Sequence, residues 1–161
     1  MPLHISPLDL HDLAHTAALI DLLDHYAHDP MGGGTGLSEH ARMHLVDALR
    51  LRTDYFAHVA WLEGEAVGLI NCFEGFSTFA AKSLLNVHDI VVRREQRGKG
   101  IGRALLVAAE AGAIQRGCCK LTLEVLDRNA LAMSAYIAFG FVPYALDPAA
   151  GSAVFLQKLL D

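Results

Sequence analysis

Gln96-Arg97-Gly98-Lys99-Gly100-Ile101-Gly102-Arg103-Ala104-Leu105-Leu106 follows an apolar run, Leu84 to Val92, and carries three alternating glycines into a helical pattern. Glycine at every second position lets the chain turn without side-chain obstruction and brings backbone N–H groups close to a ligand. The helix that follows offers its unpaired first-turn donors and the positive end of its dipole. Arg97, Lys99 and Arg103 add formal charge, and the whole suits a pyrophosphate. Two other phosphate patterns do not fit. A P-loop needs G-x-x-x-x-G-K-[ST], and the dinucleotide fingerprint G-x-G-x-x-G would need a glycine at Leu105. Standing alone, the segment also reads as a glycine-rich turn that caps a helix, with its basic residues in water.

The chain has 161 residues, enough for one domain with a substantial core and too few for two of ordinary size, so residues 1–161 are expected to form a single domain. A hydrophobic share of 53% and a charged share of 19% are those of a compact globule. No apolar run reaches the roughly 18 residues that could span a bilayer. The start Met1-Pro2-Leu3-His4 lacks the features of a secretory signal, and three cysteines, two of them adjacent, do not make a disulfide framework. The expectation is a soluble cytoplasmic protein with no membrane partner. A formal charge of -5 argues against a nucleic-acid surface and leans toward a cationic partner.

Apolar residues at spacings of three and four predict a helix over residues 9–27, stopped by Asp29-Pro30. The run Met31-Gly32-Gly33-Gly34-Thr35-Gly36 reads as a loop, and Ser38 as the N-cap of a second helix running to about Arg52. Tyr55–Leu62 and Ala66–Phe73 read as a hairpin of buried strands, and Leu84–Val92 as a third strand. A helix over 101–116 ends at Gly117. Then come a strand over Lys120–Leu126, a helix from about Arg128 to Phe139 closed by Gly140, and a last strand at Ala153–Lys158. Strand 84–92, helix 101–116 and strand 120–126 form a βαβ unit with parallel strands, which sets the glycine loop at the carboxyl end of a strand, where open α/β sheets place ligands.

A second pattern, N-x-x-A-x-x-x-Y-x-x-x-G-F, runs from Asn129 through Ala132 and Tyr136 to Gly140-Phe141. Seven residues is close to two helical turns, so Asn129 and Tyr136 share one face about 10 Å apart along the axis. One ligand can touch both. Equally, Asn129 reads as a helix cap and Tyr136 as a core aromatic.

Together with R-x-x-G-x-G, carried by Arg97, Gly100 and Gly102, this helix resembles the last conserved helix of the GNAT superfamily of acetyl-CoA-dependent N-acetyltransferases. The order and spacing of elements over nearly the whole chain are similar to that family. The resemblance implies an α/β (α+β) fold with a mixed central sheet flanked by helices, in which strands 84–92 and 120–126 splay to admit a pantetheine arm. It implies that Ile90, Val91 and Val92 pair with that arm through their backbone, as an added strand would. Gly98, Lys99, Gly100, Gly102 and Arg103 then take the phosphates, next to Arg97, and Asn129 faces the arm or the splayed strand.

The activity so implied is transfer of acetyl from acetyl-CoA to a primary amine of a small molecule or peptide by direct attack. A non-catalytic acyl-CoA-binding sensor on the same fold is the alternative. The family's pattern makes Tyr136 the general acid for the departing thiolate. For the base, polyamine-type members carry a carboxylate at the position matching His88. A histidine accepts a proton at neutral pH but repels a cationic amine once charged. A buried structural histidine is the competing reading. Without a bulge only one of His88 and Asp89 can line the acceptor side, so Asp89 remains open as the base. Asp29, Glu74 and the aromatics of Tyr26–Gly36 and Glu74–Phe79 are placed in loops around the amine. The pairs His11/His15 and His40/His44 have a zinc-compatible i, i+4 spacing but signal no third ligand, so no metal is expected. Homodimers are common in the family, and the sequence sets no stoichiometry.

Overall fold

The computed structural model describes residues 2–160. Its sheet follows chain order: β1 (His4–Pro7), β2 (Tyr55–Leu62), β3 (Glu65–Ser77), β4 (Lys82–Val92) and β5 (Leu121–Leu123). The first four strands pair antiparallel, and β4 with β5 is parallel, as a crossover through a helix requires. The helices are α1 (Leu13–Ala27), α2 (Glu39–Arg50), α3 (Ile101–Gln115) and α4 (Ala130–Phe139). The mixed sheet flanked by helices is the architecture that the sequence predicts.

Alternation along the strands sends their side chains to two separate cores. One face packs Ile70, Cys72, Leu85 and Val87 against Leu105, Leu106 and Ala109 of α3, with Tyr136 and Phe139 of α4 at its margin. The other packs Val59, Leu69 and Val91 against Leu19 and Leu22 of α1 and Leu49 of α2. Side-chain caps set the helix starts. Asp12 accepts from the N–H groups of Ala14 and His15 at 2.7 and 3.0 Å, which begins α1 at Leu13 rather than at residue 9. Ser38 caps α2 through Ala41 N–H at 3.1 Å.

Four expectations are corrected. β1 was not anticipated; its four residues earn their place by pairing with His58–Trp61, and Ser6 accepts from the Trp61 indole at 3.0 Å. The hairpin of β3 and β4 extends through Ser77↔Lys82, so Glu74–Ser77 is strand rather than loop. Glu74 lies on the α3 side, where its carboxylate meets Arg116 at 3.6 Å, and it does not face an acceptor pocket beside α1. Residues 153–158 form no strand. β5 offers an edge of only three residues, the backbone of 153–158 finds no partner among the described residues, and Val154, Phe155 and Leu156 stay exposed. Apolar, β-favouring side chains do not make a strand where no ladder is within reach.

Gly112 of α3 is a close-approach position, because a Cβ there would lie 2.3 Å from the Phe56 ring, itself held under the Arg116 guanidinium at 4.6 Å. Gly112→Ala is expected to destabilise the fold by about 1–3 kcal/mol through overpacking, despite alanine's better helix propensity. A urea midpoint equal to or above wild type would refute this.

Candidate functional site

The pairing of β4 with β5 stops early. It comprises Leu85↔Leu121, Asn86↔Thr122 and Val87↔Leu123, clamped by the Asn86 amide donating to Thr122 Oγ1 at 3.0 Å. β4 continues to Val92 with β3 on one side only. Arg93 N–H donates to Val67 O at 2.9 Å, and since antiparallel pairing alternates, Val91 also spends its backbone on β3. The N–H and C=O groups of Ile90 and Val92 therefore face the gap. Arg97 Nε donates to Val92 O at 3.1 Å at its far end.

The glycine loop closes that end. Gly98 and Gly100 hold φ of +77° and +80°, a region that side chains with a Cβ enter only under strain. Gly100 sits at the N-cap of α3 and supplies no side-chain cap. The first helical bond runs from Ala104 N–H to Gly100 O, and no described group accepts from the N–H groups of Ile101, Gly102 and Arg103. Three free donors at a helix start beside a gap lined by backbone amides fit a diphosphate with an amide-bearing arm. The cations are arranged less uniformly. Lys99 Nζ donates to Gln96 Oε1 at 2.8 Å, Arg103 lies 5.7 Å from the Phe139 ring centre, and Arg97 meets Asp29 Oδ2 at 3.2 Å.

Across the sheet, Asn71 pairs with Asp89 and Cys72 with Val87, so His88 is an extra residue, a bulge. Val87 and Ile90 pack toward α3, and both residues between them turn to the α1 face. His88 stands edge-on to Phe73 with ring centres 5.4 Å apart, and Asp89 accepts from Asn71 Nδ2 at 3.1 Å. The alternation that would have kept one of them off that face is broken by the bulge. His88 is exposed, which removes the buried structural histidine as its reading.

On α4, Asn129 accepts from Ala132 N–H at 3.3 Å, a helix cap whose amide nitrogen stays available. Tyr136 is half-buried against Phe141, and burial pushes its hydroxyl up to about 12, with Tyr26 adding to the effect.

The acetyltransferase (GNAT) family model matches residues 19–141, from within α1 to just past α4. The chain belongs to this family. It is 41% identical over 87 residues to streptothricin acetyltransferase of Streptomyces lavendulae, covering 52% of this chain and 46% of that protein. With thialysine N-epsilon-acetyltransferase of Bos taurus it shares 38% over 65 residues, 40% of this chain and 38% of that one. The chain thus aligns with less than half the length of these relatives. Among solved structures, an aminoglycoside acetyltransferase from an uncultured soil metagenomic sample, in complex with sisomicin, superposes with a TM-score of 0.78 over 99% of this chain and 97% of that one at 21% identity. AAC(6')-Iy, in complex with a bisubstrate analog of CoA and an acetylneamine, superposes with a TM-score of 0.78 over 99% and 100% at 14% identity. These two likenesses show the fold.

Of the residues predicted for the site, Ile90, Val92, Arg97 to Gly100, Gly102 and Arg103 lie at the mouth of one gap and His88 with Asp89 on the α1 face, whereas Val91, expected to offer its backbone to the gap, turns it to β3 because of the strand register. The paired histidines stay apart from the site. His15 Nδ1 accepts from Asp9 N–H at 3.0 Å, and His40 and His44 stack with ring centres 4.6 Å apart. No group of three or more potential metal ligands, and no helix long and apolar enough to cross a membrane, occurs among the described residues.

Sequence reasoning missed two features of the site. Asn71 is buried to 2% exposure, and the signal was there: it is the lone polar residue in the apolar run of β3. The second is the anchoring of the glycine-rich loop after α1. Asp29 accepts from Met31 N–H at 3.0 Å and meets Arg97, while Asp24 accepts from Leu37 N–H at 2.8 Å and meets Arg42 at 2.5 Å. These bonds tie the loop over 29–37 to the glycine loop before α3 on one side and to α2 on the other.

Both carboxyls are held below the usual carboxylate range, Asp24 by the Leu37 N–H first and then Arg42, Asp29 by the Met31 N–H first and then Arg97. A lowered native value means stability that is present above about pH 4 and is lost as pH falls through it. Asp24→Asn is expected to lower the urea midpoint at neutral pH and to flatten the midpoint's decline in acid. An acid limb parallel to wild type would show that Asp24 does not anchor the loop.

Proposed function

We propose that this protein transfers the acetyl group of acetyl-CoA to a primary amine of a small molecule or peptide. The observation that carries the reading is the parting of β4 from β5 after Val87, next to the uncapped start of α3. The named activities of its relatives, on streptothricin and thialysine, support an amine as acceptor.

In this reading the N–H groups of residues 98–103 and the side chains of Lys99 and Arg103 hold the diphosphate, and Arg97 turns from Asp29 to join them. Ile90 and Val92 pair with the pantetheine amides, Val91 keeps that stretch of β4 on the sheet, and Asn129 offers its free amide nitrogen from α4. Acetyl-CoA supplies an activated thioester. His88 takes a proton from the ammonium, leaving the nitrogen lone pair free to form the C–N bond as the C–S bond breaks, and the second nitrogen proton then passes to the departing thiolate, which leaves as the free thiol. An N–H in the segment 90–92 polarises the carbonyl. Tyr136 meets the charge that develops on sulfur. With a hydroxyl near 12 it keeps its proton throughout the neutral range, so it serves as a hydrogen-bond donor to a thiolate whose own proton affinity, near 8.5, is lower.

Calorimetry with CoA should show saturable binding at a Kd in about the micromolar to millimolar range. With a panel of primary amines, acetyl-CoA consumption should appear, and Tyr136→Phe should slow it roughly 10²–10⁴-fold while leaving CoA binding intact. Absence of CoA binding by folded protein ends the reading, and a Tyr136→Phe rate within a few-fold of wild type removes Tyr136 as donor.

A further inference from the structure

Asp29 uses all but one of its polar atoms inside its own turn. Its N–H donates to Tyr26 O at 2.9 Å, its carbonyl accepts from the N–H groups of Gly32 and Gly34 at 2.8 and 3.1 Å, and Oδ1 accepts from Met31 N–H at 3.0 Å. Oδ2 alone reaches out. It meets Arg97 at 3.2 Å and Arg94 at 3.9 Å, both on the segment that joins β4 to α3. The Asp29 side chain is only 13% exposed, so its pairing is screened by water less than that of a surface ion pair.

Arg97 is committed twice as well. Its Nε donates to Val92 O at 3.1 Å, a carbonyl at the mouth of the gap, while Nη2 holds Asp29. Of the three basic side chains assigned to the diphosphate, it is the one that sits on an acid among the described residues. Lys99 lies on the Gln96 amide and Arg103 near the Phe139 ring. A diphosphate arriving at the start of α3 therefore finds two of its cations free of any carboxylate and the third already held. One guanidinium has two anionic claimants.

We infer that Asp29 and the diphosphate compete for Arg97, so that Asp29 is a latch that lowers cofactor affinity and ties the loop over 29–37 to the mouth of the gap. The exchange costs little, because Arg94 stands beside the carboxylate and takes over as its partner, which spares Asp29 from being left shielded and unpaired. The coupling is reciprocal: whatever loosens the latch tightens the cofactor, and the cofactor shifts the loop. The inference rests on the acyl-CoA reading and adds regulation of that same site. An Asp29 that instead held Arg97 ready for phosphate would have the opposite sign.

The test titrates CoA into the full chain by calorimetry. Asp29→Asn keeps an oxygen for Met31 N–H and removes the charge, and it should tighten CoA binding roughly three- to tenfold, the scale of a lost, partly shielded ion pair. In an Arg97→Gln background the same substitution should change the affinity by less than about twofold, since the latch needs both partners. Proton–nitrogen NMR of the wild-type chain gives a readout that needs no variant to fold. Saturating CoA should move the amide signals of Gly32 and Gly34, whose N–H groups bond Asp29 O, and in Asp29→Asn that response should be largely gone. Weaker or unchanged CoA binding in Asp29→Asn, an equal gain with Arg97→Gln in place, or glycine signals that CoA leaves where they are would each overturn the latch. Failure of the folded wild-type chain to bind CoA defeats the acyl-CoA reading, whereas CoA binding with none of these responses defeats the latch alone.

Discussion

Unpaired backbone on one edge of β4 is the constraint around which this molecule is arranged. A strand in the middle of a sheet normally satisfies its N–H and C=O groups on both sides, and leaving them unmet costs about as much as a lost hydrogen bond. β4 keeps its partner on the β3 side along its length but loses β5 after Val87. The Asn86–Thr122 clamp marks where the two strands part. Everything downstream serves that opening: Arg97 covers Val92 O, two positive-φ glycines bend the chain around its end, and α3 begins with three donors unspent.

The opposite face of the same strand is shaped by a different irregularity. Inserting one residue at His88 reverses the alternation locally, so that Val87 and Ile90 both serve the α3 core while His88 and Asp89 both serve the α1 face. One strand thereby presents free backbone to the gap and two polar side chains to the α1 face. The link between the two sides runs through Arg97, which bonds β4 at Val92 and the loop after α1 at Asp29.

How much of this was legible depended on how local the signal was. Strand β2 and the helices around residues 101–116 and 128–139 follow from apolar periodicity and end-capping residues, and β2 occupies the predicted residues without a shift. The glycine spacing at 98–102 announced a turn, because the positive φ that Gly98 and Gly100 adopt favours glycine. Glu74 was misplaced since a hairpin's length is set by how long two strands keep pairing, which neither strand records alone. The segment 153–158 has the composition of a strand and lacks an edge to join, and an edge is made by the other elements.

The amino-acid sequence by itself determined the glycine loop, the helix caps at Ser38 and Asn129, and the family pattern, for these depend on contacts within a few residues. Only the tertiary structure decided where β4 leaves β5, that His88 is the bulged residue, and that Asn71 meets Asp89. Each of those is a register between strands, and register is an agreement among segments far apart in the chain.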